Sequence, residues 1–141
     1  MLDFSKPPEQ LLNECLAKIA DLLAKKKAAS IEMINAIFDD NVAEAAYHRI
    51  RAQLTLDAKN GDAEKQLQGI GKITDTIAEA WMKTQSVYLD AVKARDDAQG
   101  VKWASQQKYY LIEEDIKLAY AEHYAALAIL NKDTRLALTQ T

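Results

Sequence analysis

Very few residues in this chain could carry chemistry: two histidines, one cysteine and carboxylates spread along its length. His48 follows Glu44 by four residues, which on a helix puts a carboxylate and an imidazole on one face. A metal site or an acid–base pair needs that arrangement, and an ordinary exposed helix pair has it too. His123 stands among Ala119, Tyr120 and Ala126 at a position that the apolar pattern assigns to a packed face. An imidazole buried there needs a hydrogen-bond partner, and a tyrosine or carboxylate on a facing helix would serve.

Helical proteins that bind two metals through carboxylates draw Glu-x-x-His from two helices and a single glutamate from each of two others. Neither histidine here has a glutamate three residues before it. Glu122 and His123 are adjacent and so occupy different faces. A metal-binding or small-molecule-binding bundle of ferritin-like type would use Glu44, His48, Glu79, Glu113 and His123. These spacings do not converge, and neither CxxC nor HExxH occurs, so no metal and no cofactor is expected. Cys15 sits among Leu11, Leu12, Leu16 and Ile19, the setting of a small apolar core residue. No serine lies in a glycine-rich elbow. The chain therefore reads as non-enzymatic, with no catalytic residues.

The elements that hold these residues are helices. With four glycines and two prolines in 141 residues, few interruptions are available. Pro7-Pro8 ends an extended entry over residues 1–8. Leu12, Leu16, Ile19 and Leu23 then share a face of a first helix, Glu9 to Ala28, whose Lys25-Lys26-Lys27 suits the negative end of the dipole. Ser30 is a good N-cap for a second helix to Lys59. Its apolar phase slips at Asp39 to Asn41, between Ile31, Ile34 and Phe38 on one side and Ala43, Tyr47, Ile50 and Leu54 on the other. That slip fits one kinked helix or two separate ones.

Asn60-Gly61-Asp62 marks a turn, with Asp62 able to cap the next helix. This third helix carries Ile70, Ile73, Ile77, Ala80, Thr84, Val87, Ala91 and Ala94 in three-four spacing, with Gly69 and Gly71 delaying its ordered start to near Lys72. Gln99-Gly100 ends it. A fourth helix runs from Val101 to Asn131 with Tyr109, Ile112, Ile116, Ala119, His123, Ala126 and Leu130 as its packed stripe, and the tail over 132–141 frays. The fold expected is all-α, an elongated antiparallel bundle of about four helices with coiled-coil-like seams, forming one domain over 1–141.

The hydrophobic fraction of 49% and charged fraction of 28% are those of a globular chain. A net charge of −3 and an isoelectric point near 5.4 argue against nucleic acid. No apolar run reaches the roughly 18 residues of a membrane span. Met1 to Gln10 shows no secretory signal, and one unpaired cysteine suits a cytoplasmic setting. The acidic runs Asp39-Asp40, Asp96-Asp97 and Glu113-Glu114-Asp115 read as solvated faces, or as the docking surface of a small acidic inhibitor or decoy for a basic partner.

A surplus of apolar helix surface points to protein–protein contact. Leu111, Leu118, Ala125 and Ile129 form a second row beside the stripe of the fourth helix. Trp81, Gln85, Tyr88 and Leu89 repeat as Trp103, Gln107, Tyr110 and Leu111, either through shared core needs or as a duplicated helix with paired aromatics. The expected interaction residues are Trp81, Tyr88, Trp103, Tyr110, Leu111, Leu118 and Ile129. The expected partners are further copies of the chain and another protein met by the fourth helix.

Overall fold

The computed structural model describes residues 2, 3, 5–61 and 74–139, the last seven of them by backbone alone. Among these the elements are helices: α1 over Pro8–Lys59, α2 over Asp75–Met82 and α3 over Ser86–Thr139. There is no strand among the described residues. The fold is all-α, but its helices are longer than the sequence pattern predicts. Neither the break at Ser30 nor the one at Gln99-Gly100 exists. The expectations for Asp62, Gly69, Ile70, Gly71, Lys72 and Ile73 lie outside the described residues.

Pro8 opens α1 at the position where a missing N–H costs nothing, and the Pro7 carbonyl accepts the N–H groups of Gln10 and Leu11. Glu9 in the first turn and Lys59 in the last match the dipole. Gly61, at φ 104°, takes the left-handed turn that ends the element.

Between those ends one stripe stays in phase: Leu11, Cys15, Ile19, Leu22, Ala29, Ala36, Asp40, Tyr47 and Ala58 are all buried. Ile31, Ile34 and Phe38, read from their spacing as one apolar face of the second helix, turn outward, and Phe38 is 65% exposed. Leu16 and Leu23 also lie outside. The slip near Asp39 is therefore a change in which face carries the large residues. The helix passes through it without a break.

The chain forms two compact units, Met1–Met33 with Ser105–Thr141, and Ile34–Ala104. In the first, Ile19 and Leu22 pack with Ile116 and Ala119, and Leu11 and Cys15 pack with Ala126. Ascending numbers in α1 meet descending numbers in α3, so the two segments run antiparallel. Lys18–Glu122 at 3.6 Å and Lys108–Glu32 at 3.0 Å flank this contact, and the Lys26 ammonium lies 5.8 Å from the centre of the Tyr109 ring. The stripe expected on the fourth helix is the one that turns inward. Ile116, Ala119 and Ala126 are buried, and Tyr109, Ile112, His123 and Leu130 are half-buried.

In the second unit Ala58, Ala78, Trp81 and Met82 form the apolar cluster, with Leu54 and Tyr88 against it. Thr74 caps α2 by accepting the Ile77 N–H. The predicted third helix breaks after Met82 because side chains compete for the backbone. Thr84 Oγ1 and Gln85 Nε2 both donate to the Trp81 carbonyl, at 2.6 and 3.1 Å. The backbone N–H groups of Thr84 and Gln85 fall back to bonds three residues earlier. Elsewhere in this unit Asp40, 7% exposed, meets the Lys102 ammonium at 2.8 Å through one carboxylate oxygen; the other is buried without a partner.

Two stability predictions arise here. Gly100 lies within α3, and a Cβ added to it would meet nothing within 4 Å. Gly100→Ala should therefore raise stability by up to about 1 kcal/mol in urea unfolding; a loss would show that the helix is interrupted there. Lys102→Ala strands a buried carboxylate and should cost about 2 kcal/mol or more. Asp40→Leu releases a half-exposed lysine to water and should be neutral or stabilising. Equal losses in the two variants would contradict this account of the pair.

Candidate functional site

The expected metal ligands are not brought together. His48 Nε2 lies 3.1 Å from Glu44 Oε1 on α1, with the histidine exposed and the glutamate half-buried, as in an ordinary pair one helical turn apart. Glu79 serves Arg51 and Lys83 at 3.5 and 3.6 Å. Glu113 is half-buried in α3. Among the described residues no group of three or more histidines, cysteines, aspartates or glutamates could hold a metal ion.

His123 is half-buried on the inward stripe of α3, but the expected hydrogen bond to a facing tyrosine or carboxylate is not made at Nδ1. That nitrogen is buried without a partner, and the nearest ring is Tyr124, 5.9 Å away on the same helix. The neighbouring Glu122 is paired with Lys18 of α1 at 3.6 Å.

Cys15 is buried beside a cavity of about 140 Å³, lined in part by Lys6, Glu14, Lys18 and Glu122. Burial pushes its thiol pKa up, and the negative Glu122 adds to the shift while Lys18 opposes it. A thiolate nucleophile needs the opposite environment. A second cavity, about 240 Å³, lies beside Arg51, Thr55, Asp75, Glu79 and Met82. Each is smaller than the roughly 300 Å³ at which sites for drug-sized ligands begin.

The densest polar arrangement was not foreseen from the sequence. Tyr47 is buried on α1, and the Arg95 guanidinium stacks 4.0 Å from the centre of its ring. Arg51 Nη1 donates weakly to the Tyr47 hydroxyl at 3.4 Å. The Tyr88 ring lies 5.9 Å from that of Tyr47, and the interaction of the two hydroxyls lowers the Tyr47 pKa and raises that of Tyr88. Phenols and guanidiniums stacked in this way offer hydrogen bonds and cation–π attraction. They supply no nucleophile paired with a base. The signal that could have located Asp40 and Tyr47 is the helical step that continues from Leu22, Ala29 and Ala36, four residues on to Asp40 and seven more to Tyr47.

The residues expected to meet partners divide by exposure. Trp81 is 5% exposed and Tyr88 half-buried in the apolar cluster of their unit. Trp103, Tyr110, Leu111 and Leu118 are each more than half exposed, and Ile129 is half-buried. The sequence echo therefore has no structural counterpart, since its first tryptophan is buried at the end of α2 and its second is exposed within α3. The sequence pattern did not place the large apolar residues on the outer face of α1, where Ile34, Phe38, Val42 and Leu56 are more than half exposed.

A raised thiol pKa predicts low reactivity. Native Cys15 should react with a disulfide reagent at pH 8 at least about tenfold more slowly than in the unfolded chain. Because its folded pKa lies above the unfolded value, its contribution to stability is complete below the ordinary thiol range and is lost as pH rises from that range through the raised folded value. Labelling as fast as in the unfolded chain would show Cys15 to be accessible. Comparison with protein-family models, curated proteins and solved structures finds no match for this chain.

Proposed function

We propose that this chain is a non-catalytic interaction or assembly protein that works through helix surfaces, associates with copies of itself and meets another protein through α3. The observation that carries this reading is the number of large apolar side chains that lie more than half exposed on α1 and α3. They recur at helical spacing on faces turned away from the packed stripe. A helix with one neighbour buries little more than a third of its circumference. The large apolar side chains on the rest of the surface gain by being covered.

The row of Leu111, Leu118, Ala125 and Ile129 is the face offered to another protein, with Tyr110 nearby on the same helix. Trp103 lies in the other unit and adds an exposed aromatic there. No helix among the described residues is long and apolar enough to cross a membrane. A cytoplasmic setting, where a lone thiol stays reduced, fits the same reading.

Light scattering on the eluting protein tests self-association directly. The mass expected is at least twice the 15.8 kDa of the chain at roughly tens of micromolar, the range in which a small specific interface is populated. A mass of one chain at that concentration would overturn the self-association.

A further inference from the structure

We infer that the self-contact is made by the outer face of α1, Ile34 to Leu56, lying antiparallel on the same face of a second copy about a two-fold axis beside Ala45. The inference rests on the self-association proposed above and names the surface responsible. A helix turns about 100° per residue. Ile34, Phe38, Val42, Ala45, Arg49, Ala52 and Leu56 therefore fall within one narrow face, at steps of four, four, three, four, three and four. All seven are exposed, and the face is turned away from Ala36, Asp40, Tyr47 and Ala58 on the buried side.

Shape and charge select the occupant and its register. With Ala45 against its symmetry mate, Phe38 of one copy lies over Ala52 of the other, and Ile34 lies against Leu56. The bulky residues at one end of the face thus meet small or aliphatic ones from its other end, and alanines at the axis allow close approach. Arg49 then comes beside Asp39 of the second copy, twice by symmetry. Both are exposed, and neither has an ion pair among the described residues. Sliding the copies by one heptad would place Arg49 on Ile34 in one direction, or Lys59 on Phe38 in the other, so this register is selected over its neighbours. The overlap is about 35 Å of helix. Four large apolar side chains from each copy suit a small specific interface of roughly 1,200 Å².

The test uses the full chain with Cys15→Ala, so that an added thiol is the only one. Ala45→Cys should form a disulfide-linked dimer on mild oxidation, at least about tenfold faster than Gln99→Cys, an exposed control position on α3. Adding Phe38→Glu should reduce the rate to that of the control. Asp39→Arg and Arg49→Asp should each weaken dimerisation several-fold, and combining them should restore it, an outcome that a merely structural effect of either change would not give. Crosslinking no faster than the control, in a chain that light scattering shows to be oligomeric, would overturn this face and leave self-association standing. A monomeric chain would overturn both.

Discussion

The structure depends on a contact between α1 and α3 in which small side chains alternate with aliphatic ones. In the first unit Ala119 and Ala126 meet Ile19, Leu22, Leu11 and Cys15. In the second, Ala36 and Tyr47 of α1 and Ala91 of α3 are buried. Small residues let helix axes approach toward the short end of the roughly 8–10 Å range. They also bury little apolar area of their own, so the long aliphatic side chains do not all fit inside. The outward-facing Ile34, Phe38, Leu111 and Leu118 are the consequence of that constraint.

The buried polar groups make sense in the same terms. Asp40 and Tyr47 occupy stripe positions seven residues apart and are met from α3 by Lys102 and Arg95, also seven apart. A charge placed in a seam is a weak source of stability, because desolvation offsets most of the Coulomb attraction. It does penalise registers that leave it unpaired. Two such layers make the pairing of α1 with α3 in this unit specific where alanines alone would tolerate sliding. Asp40 Oδ1 and Arg95 Nε make no hydrogen bond, although Arg95 Nε lies 3.6 Å from Asp96, so this specificity comes with incomplete hydrogen bonding.

Chemistry is correspondingly sparse. The histidines stand apart, one in water beside Glu44 and the other half-buried with Nδ1 unpartnered. The thiol is buried where its protonated form is favoured. What the chain has in abundance is exposed apolar helix surface, and that is the basis for reading it as a protein that binds proteins.

Helical character, the absence of a strong metal or nucleophile motif, the apolar setting of Cys15 and the inward stripe of α3 could all be read from residue types and spacing, because each depends on neighbours within a few turns. The turn at Gly61 was legible for the same reason. Three features were decided only by tertiary structure. Ser30 and Gly100 each favour a helix end locally by a small amount, and packing along a continuous stripe outweighs them. The burial of Ala29, Ala36 and Asp40 in preference to Ile31, Ile34 and Phe38 reverses a reading based on apolar spacing, because which face turns inward depends on what the opposite helix can accommodate. The break after Met82 arises where Thr84 and Gln85 capture the Trp81 carbonyl, a local competition whose outcome depends on how α2 packs against α1. Long-range contact chose among the faces that local pattern left open.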